Sequence, residues 1–273
     1  MTAVTDRGAP EPTAPRFPPG TFTPRPAPAP LPAMLAAQTR LELRLLLRNG
    51  EQLLLTMFIP ITLLIGLCLL PLDTSLGSTA AERAATFVPA IMTVAVMSTA
   101  FTGQAIAVGF DRRYGALKRL GATPIPRWGI IAGKSLAVVI VVILQSLIIG
   151  GIGACFGWRP GLLGLVLGAV AIAIGTVTFA TLGLLLGGTL KAEVVLALAN
   201  LLWFAMVGVG SITVMQDRVP AAVWWVARCI PSGALTETLE QATHGGFDVV
   251  GVVVLLIWAA IGGSLAVRWF RFQ

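Results

Sequence analysis

The fold is decided by residues 129–157, which read GIIAGKSLAVVIVVILQSLIIGGIGACFG. Lys134 is the only charged residue in this stretch, and it lies close to the beginning. A helix needs about 20 mostly apolar residues to cross a hydrocarbon layer about 30 Å thick. Because that layer offers the backbone no hydrogen-bond partner, an apolar segment of this length crosses it as a helix and not as a barrel strand. The stretch therefore predicts a transmembrane helix.

Comparable apolar blocks lie on both sides of this stretch. They predict further spans over residues 52–71, 85–109, 161–190, 194–215 and 247–268. Only 11% of the 273 residues are charged and 56% are hydrophobic, whereas about a quarter of the residues in a soluble domain are charged. The chain is therefore predicted to be an all-α polytopic membrane protein, with six transmembrane helices in a domain over residues 50–273.

Two different segments precede the first span. Residues 1–32 are rich in Pro and Ala, a composition that prevents helix and sheet, so they predict a disordered cytoplasmic tail. Residues 33–49 predict an amphipathic helix in which Arg40, Arg44 and Arg48 share an arc of about 80°. Leucines occupy most of the remaining surface. This pattern suits an interfacial helix on the lipid bilayer, with its guanidinium groups on phosphates or on a cytoplasmic partner.

Basic residues are distributed unevenly along the chain. With the N terminus inside, 15 of the 19 Lys and Arg residues lie in cytoplasmic segments, and the rest are Arg83, Arg159, Arg218 and Arg228. The positive-inside rule therefore predicts that both termini are cytoplasmic. The same bias accounts for the net charge of +7, so nucleic acid is not expected as a partner. Residues 216–246 would then form an outer re-entrant segment of short helices.

The most informative segment between spans is residues 110–121, FDRRYGALKRLG. Helical spacing would align an apolar ridge on one face, consisting of Phe110, Tyr114, Leu117 and Leu120. Basic residues flank this ridge, Gly121 suits a helix end, and the Pro124-Ile125-Pro126 run excludes further helix. A short amphipathic helix of this kind suits docking into a groove on another protein. A plain basic loop fits the same residues, and the pattern alone leaves both interpretations open.

Several motifs together resemble those of ABC-2 type permeases. Residues 111–120 read DRRYGALKRL, and they are followed by Ala122-Thr123-Pro124 and by Gly133-Lys134 at the opening of the third span. The family shows an acidic-Arg-x-x-Gly-small-Leu-x-x-Leu pattern, then a small-x-Pro turn, then Gly-Lys. The outer stretch PSGALTE at 231–237 is similar to the family's Pro-containing segment before the last span. The likeness extends from about residue 33 to the end, and the drug exporters of the daunorubicin type are the most similar branch.

The resemblance implies a type V exporter-like permease fold, with the interfacial helix ahead of the six spans. It implies a second permease in the complex, either another copy of this chain or a sister permease, and ABC ATPase subunits beneath the pair. The ATPases would bind ATP and Mg, while this chain would bind no cofactor and would not be an enzyme. Residues 110–121 would be the coupling helix, with the ATPase-coupling residues Phe110, Arg112, Arg113, Tyr114, Gly115, Leu117, Arg119 and Leu120.

Polar residues inside the predicted spans are few. Gln104, Gln145 and Asn200 are candidates for a substrate path, although uncharged amides in a bundle also bond across helices. Glu193, Lys134 and Asp248 lie near span ends, where they are expected to reach water. Small-residue spacings predict close helix approach at Gly153/Gly157, Gly164/Gly168 and Gly183/Gly187. The three cysteines and the single histidine share no metal-ligand spacing, so no metal site is predicted.

These features disfavour several classes of membrane protein. An ion-coupled transporter generally needs ionisable groups or broken helices near the midplane, and a membrane hydrolase needs paired acid–base groups; the spans predict neither. We therefore expect an ATP-driven exporter subunit in the cytoplasmic membrane of a bacterium. It would move amphipathic drug-like or lipid-like substrates outward, as in drug efflux and antibiotic resistance. Two alternatives stay open: export of a polysaccharide or lipid-linked glycan, and a membrane assembly factor that transports nothing.

Overall fold

The computed structural model describes residues 29–70, 77–120, 122–123 and 125–270. Most of the tail predicted at 1–32 lies outside the described residues. Within the described part, the α-helices in chain order are α1 Leu31–Arg48, α2 Gly50–Leu69, α3 Ala80–Val96, α4 Gln104–Arg113, α5 Ala116–Leu120, α6 Arg127–Cys155, α7 Leu162–Thr189, α8 Ala192–Val214, α9 Ala221–Arg228, α10 Pro231–Thr243 and α11 Val249–Trp269. A π-helical segment, Met97–Gly103, joins α3 to α4. These residues contain no β-strand, and the predicted all-α fold is confirmed.

Five helical stretches are long and apolar enough to cross a membrane by length and composition. They are Ala80–Arg113, Trp128–Cys155, Leu162–Thr189, Ala192–Val214 and Val249–Trp269. A shorter apolar helix, Thr56–Leu69, forms most of α2. The six predicted spans therefore correspond, in the described residues, to five full-length candidates and one shorter helix, and the chain is a multi-pass membrane protein.

The second span is longer than the predicted 85–109. Ala80–Arg113 is helical over 34 residues, which corresponds to about 50 Å at 1.5 Å per residue, whereas the hydrocarbon core is about 30 Å thick. The span begins with a capping box, in which Thr79 Oγ1 accepts from the backbone N–H of Glu82 at 3.2 Å and the Glu82 carboxylate accepts from that of Thr79. The helix is therefore longer than the hydrocarbon core is thick, so at least one of its ends extends beyond it.

Helix α7 crosses the second span at the π-helical segment and just after it. A Cβ on Gly183 would lie 2.7 Å from the carbonyl oxygen of Phe101, and one on Gly187 would overlap that of Ala105. Only glycine lets the two backbones meet at these positions. Close approach is therefore confirmed at Gly183 and Gly187. The prediction of close approach is wrong at Gly168, where a Cβ would meet no atom within 4 Å.

Residues 216–246 contain two short α-helices, and a buried ion pair fastens them to the last span. Helix α10 is buried among α3, α7, α8 and α11. Arg228 at the end of α9 pairs with Asp248, the residue that precedes α11. Thr238 Oγ1 on α10 lies 3.1 Å from the other carboxylate oxygen of Asp248. The prediction that Asp248 reaches water is therefore wrong, because α9 and α10 cover the beginning of α11.

Candidate coupling site and adjoining cavity

The segment predicted as one coupling helix is divided in two. Helix α4 ends at Arg113, and α5 begins at Ala116. Between them, Gly115 has a φ of +71°, a conformation that glycine adopts at low cost and that commonly ends a helix. The prediction of a continuous helix over 110–121 is therefore wrong. Gly121 itself lies outside the described residues.

The break separates the residues of the predicted ridge. Tyr114 is 66% exposed, whereas Leu117 is 2% exposed. Leu117 packs with Val108 and Ile130 in a small hydrophobic cluster of the chain's own core. The ridge is therefore not a single docking surface, because the turn at Gly115 directs α5 back onto the bundle.

The other two members of the ridge lie at its margins. Phe110 is half-buried and stacks on Tyr114, with ring centroids 5.9 Å apart. Leu120 packs against the cluster that contains Leu117. We define the outward face of this segment as the loop face; it consists of Arg113, Tyr114, Lys118 and Arg119, all of which are exposed. A partner would therefore meet one aromatic ring and three basic side chains.

Three consecutive side chains at the end of α4 bond to three different spans. Asp111 bonds to Lys134 on α6. Arg112 donates from Nη1 to the carbonyl oxygens of Gly187 and Leu190, both at 3.0 Å. Those carbonyls lie at the C-terminal end of α7, where a cation is favourable. Arg113 pairs with Glu193 in the first turn of α8.

Asp111 belongs to a buried ionic triad centred on Lys134 of α6. Lys134 Nζ lies 2.7 Å from Asp111 Oδ2 and 2.7 Å from Glu42 Oε2 on α1. Gln38 Nε2, one turn earlier on α1, donates to Glu42 at 2.9 Å. The Lys134 and Glu42 side chains are 9% and 7% exposed, so the prediction that Lys134 reaches water is wrong. An ammonium buried at the membrane border requires such partners, because an unpaired charge there is costly.

Helix α1 therefore contributes to this site through residues that the sequence interpretation did not select. The selected residues Arg40, Arg44 and Arg48 are all exposed, while α1 buries the face that carries Glu42. One signal was present: Lys134 is a charged residue within an apolar span, and such a residue implies a carboxylate elsewhere. Which carboxylate it meets could not be deduced, because Glu42 lies 92 positions away in the sequence.

A cavity of about 440 Å³ lies between α2, the second span and α8. Its walls combine apolar and aromatic side chains with five polar ones, among them Asn200. The lining residues are Asn49, Thr56, Ile59, Ser98, Thr102, Gly103, Ile106, Leu196, Asn200, Trp203 and Phe204. The π-helical segment contributes three of these, and π-bulges occur frequently at functional sites.

The three amides predicted as substrate-path candidates occupy different positions. Asn200 lines the 440 Å³ cavity, and its Nδ2 donates to the carbonyl oxygen of Leu196 on the same helix. Gln104 borders a much smaller neighbouring cavity. Gln145 is buried; its Oε1 accepts from Thr99 at 2.8 Å and its Nε2 donates to the carbonyl of Thr56 at 3.3 Å. Gln145 therefore bonds α6 to two other helices and lines neither cavity.

A comparison with protein families decides which family this arrangement belongs to. Residues 69–268 match the model of the ABC-2 family transporter protein. The chain belongs to the ABC-2 family. No curated protein shows significant sequence similarity to it.

The match places most of the site inside the family's own region. The end of α4, the loop face and Lys134 lie within the matched residues, whereas α1 with Glu42 precedes them. This ABC-2 chain is therefore a membrane permease of an ABC transporter, a component whose family associates with ABC ATPase subunits. In the described residues no group of three or more His, Cys, Asp or Glu is placed to hold a metal ion.

Proposed function

We propose that this permease is the transmembrane subunit of an ATP-driven exporter and that its loop face receives the ATPase. The observation that carries the proposal is the set of bonds made by residues 111–113, which join the end of α4 to α6, to α7 and to α8. A force applied to Tyr114 and α5 would be delivered to most of the bundle at once. The loop end is then the cytoplasmic end, and ATP and Mg belong to the partner.

Movement of the loop would be transmitted directly to the hydrophobic core through Leu117. Leu117 is anchored among buried side chains that include Ala266 of α11, so α5 cannot shift without repacking the ends of several spans. Packed cores change between discrete arrangements more readily than they deform continuously. ATP-driven closing of the partner would thus switch the permease between two arrangements.

The 440 Å³ cavity supports an amphipathic drug-like or lipid-like cargo, moved outward across the cytoplasmic membrane of a bacterium. Ile59, Ile106 and Phe204 give it apolar walls, as in most sites for small organic ligands. Thr102 Oγ1 is buried without a hydrogen-bond partner among the described residues. Its hydroxyl would therefore be available to form a hydrogen bond with a polar atom of the cargo. A cargo with both apolar and polar parts fits this mixed lining better than a glycan, which is polar throughout. A second permease, alike or related, would complete the path.

The proposal is tested by isolating the tagged full-length chain from its native membranes and labelling the co-purifying proteins with a photoreactive ATP analogue. Tyr114→Ala combined with Lys118→Glu and Arg119→Glu removes the ring and two of the three cations of the loop face. We expect roughly a tenfold loss of the labelled partner, as for central residues of an interface.

Trp128→Ala is the matched control, because Trp128 is 57% exposed at the beginning of α6 and lies outside the loop face. It should retain the labelled partner in full. Undiminished recovery of that partner with the triple variant, or an equal loss with Trp128→Ala, would remove the coupling role from the loop face.

A further inference from the structure

A second, larger cavity lies away from the coupling site, between α6 and α7. Its volume is about 810 Å³, well within the range of about 300–1,000 Å³ for sites that hold small organic ligands. Helices α3 and α10 close it behind, through Met92 and Leu239 among others. It is a half-open groove on the side of the bundle that a membrane would cover.

Small residues create this groove. Gly151 on α6 and Gly168 on α7 both line it, and a Cβ on either would meet no atom within 4 Å. Gly183, lower on α7, has the opposite role, because its missing Cβ lets α7 touch the second span. The same residue type thus brings helices together at one level and leaves room between them at another.

The groove is apolar along its length and basic at one end. That end carries Arg159 in the connection between α6 and α7, beside Trp158, whose ring lies against Gly150 and Gly153. Arg159 is exposed, and no carboxylate of the described residues lies within ion-pair distance of it. Tryptophan and arginine at the end of a span are typical of the headgroup level of a bilayer.

We infer that this groove binds one acyl chain of an anionic phospholipid, with the phosphate of its headgroup on Arg159. Along α7 the lining residues extend from Gly164 to Thr176, about 18 Å of helix, which is little more than one leaflet of a core about 30 Å thick. An acyl chain has that reach, whereas a partner transmembrane helix would need a groove along the full span. The unpaired cation selects an anionic headgroup, and it lies where that headgroup would be.

The site is independent of ATPase coupling, because the groove and the loop face share no residue and lie at different levels of the bundle. Two variants test its two parts. Gly168→Leu fills the apolar groove, while Arg159→Gln removes the charge at its end. Gly208→Leu and Arg218→Gln are the matched controls: Gly208 is exposed on α8, with no atom within 4 Å of its Cβ position, and Arg218 is an exposed arginine outside the groove.

The measurement is native mass spectrometry of the detergent-purified full-length chain, titrated with phosphatidylglycerol or phosphatidylcholine. The wild-type chain and both controls should retain one phosphatidylglycerol and bind phosphatidylcholine more weakly. Gly168→Leu should lose the retained lipid. Arg159→Gln should bind phosphatidylglycerol about fivefold more weakly, since one basic residue at the surface contributes about 1 kcal/mol toward an anionic lipid.

Gly151→Leu fills the groove from the opposite wall and replaces Gly168→Leu if that variant does not fold. Full lipid retention by a folded groove-filling variant would overturn the site. Equal affinity of the wild-type chain for the two lipids would overturn the role of Arg159. Capture of a second permease at a cysteine placed at Gly168, by disulfide cross-linking, would assign the groove to a protein partner and overturn the proposal as well.

Discussion

Buried ion pairs between side chains stabilise both ends of this bundle, but the number of carboxylates per cation differs between the ends. At the α9–α10 end, Arg228 and Asp248 form a one-to-one pair whose side chains are 9% and 2% exposed. At the loop end, Lys134 bonds two carboxylates, one of which belongs to Asp111 and is 34% exposed. The first pair has no substitute if one partner leaves. The triad does, because Lys134 can keep one carboxylate while it releases the other.

This difference suits the two ends to different tasks. Breaking a buried pair leaves an uncompensated charge and is strongly unfavourable, so the α9–α10 end is a fixed anchor. In the triad, Lys134 can stay paired with Glu42 of α1 while Asp111 moves with the loop, or the reverse. Under the proposed coupling role, the loop end would be the part of the permease that changes during transport.

The largest effect is expected for Asp248→Asn. The substitution keeps the shape of the side chain but leaves Arg228 buried without a counter-charge, which should lower the free energy of unfolding by about 3–5 kcal/mol. Denaturant or thermal unfolding of the purified chain in detergent measures it. Glu193→Gln serves as the control, because it breaks an exposed ion pair with Arg113 and should cost less than about 1 kcal/mol.

A smaller effect is expected for Glu42→Gln at the loop end. Lys134 keeps Asp111 and gains a neutral amide in place of the carboxylate, so the loss of unfolding free energy should be about 1–2 kcal/mol. The double variant Glu42→Gln, Asp111→Asn should cost more than the sum of the two single variants, since Lys134 then has no carboxylate. Additive values, or a single-variant loss as large as that of Asp248→Asn, would show that the two ends respond alike.

The smallest effect is a pH dependence in α10. Burial, with a lesser contribution from the Glu237 carboxylate, raises the pKa of Glu240 to about 7 from an ordinary value of 4.5. The folded state therefore binds this proton more tightly than the unfolded state, so stability should be greatest below about pH 4.5 and should decrease as the pH rises toward 7. Glu240→Gln should flatten the unfolding temperature over this interval. If the unfolding temperature of Glu240→Gln changed with pH as steeply as that of the wild-type chain, the titrating group would be a residue other than Glu240.

The apolar blocks predicted the spans because bilayer thickness imposes a length that can be counted along the chain. The end of the second span and the division of the coupling segment were missed. The positive φ at Gly115 turns the backbone between α4 and α5, and hydrophobic periodicity does not predict such a turn. The triad was missed because it joins Glu42, Asp111 and Lys134 from three distant segments, and only packing brings them together. The groove was missed because glycine spacing looks the same where helices touch and where they part.

The coupling role is tested most directly by a photoreactive amino acid placed singly at 114, 117, 119 or 128 of the full-length chain in its native membrane. Tyr114 and Arg119 belong to the loop face, Leu117 lies two to three residues away but is buried, and Trp128 is exposed outside it. Cross-links to a protein that binds an ATP analogue should form from 114 and 119, and not from 117 or 128. Capture of that protein from 117, or from none of the four positions, would contradict the account.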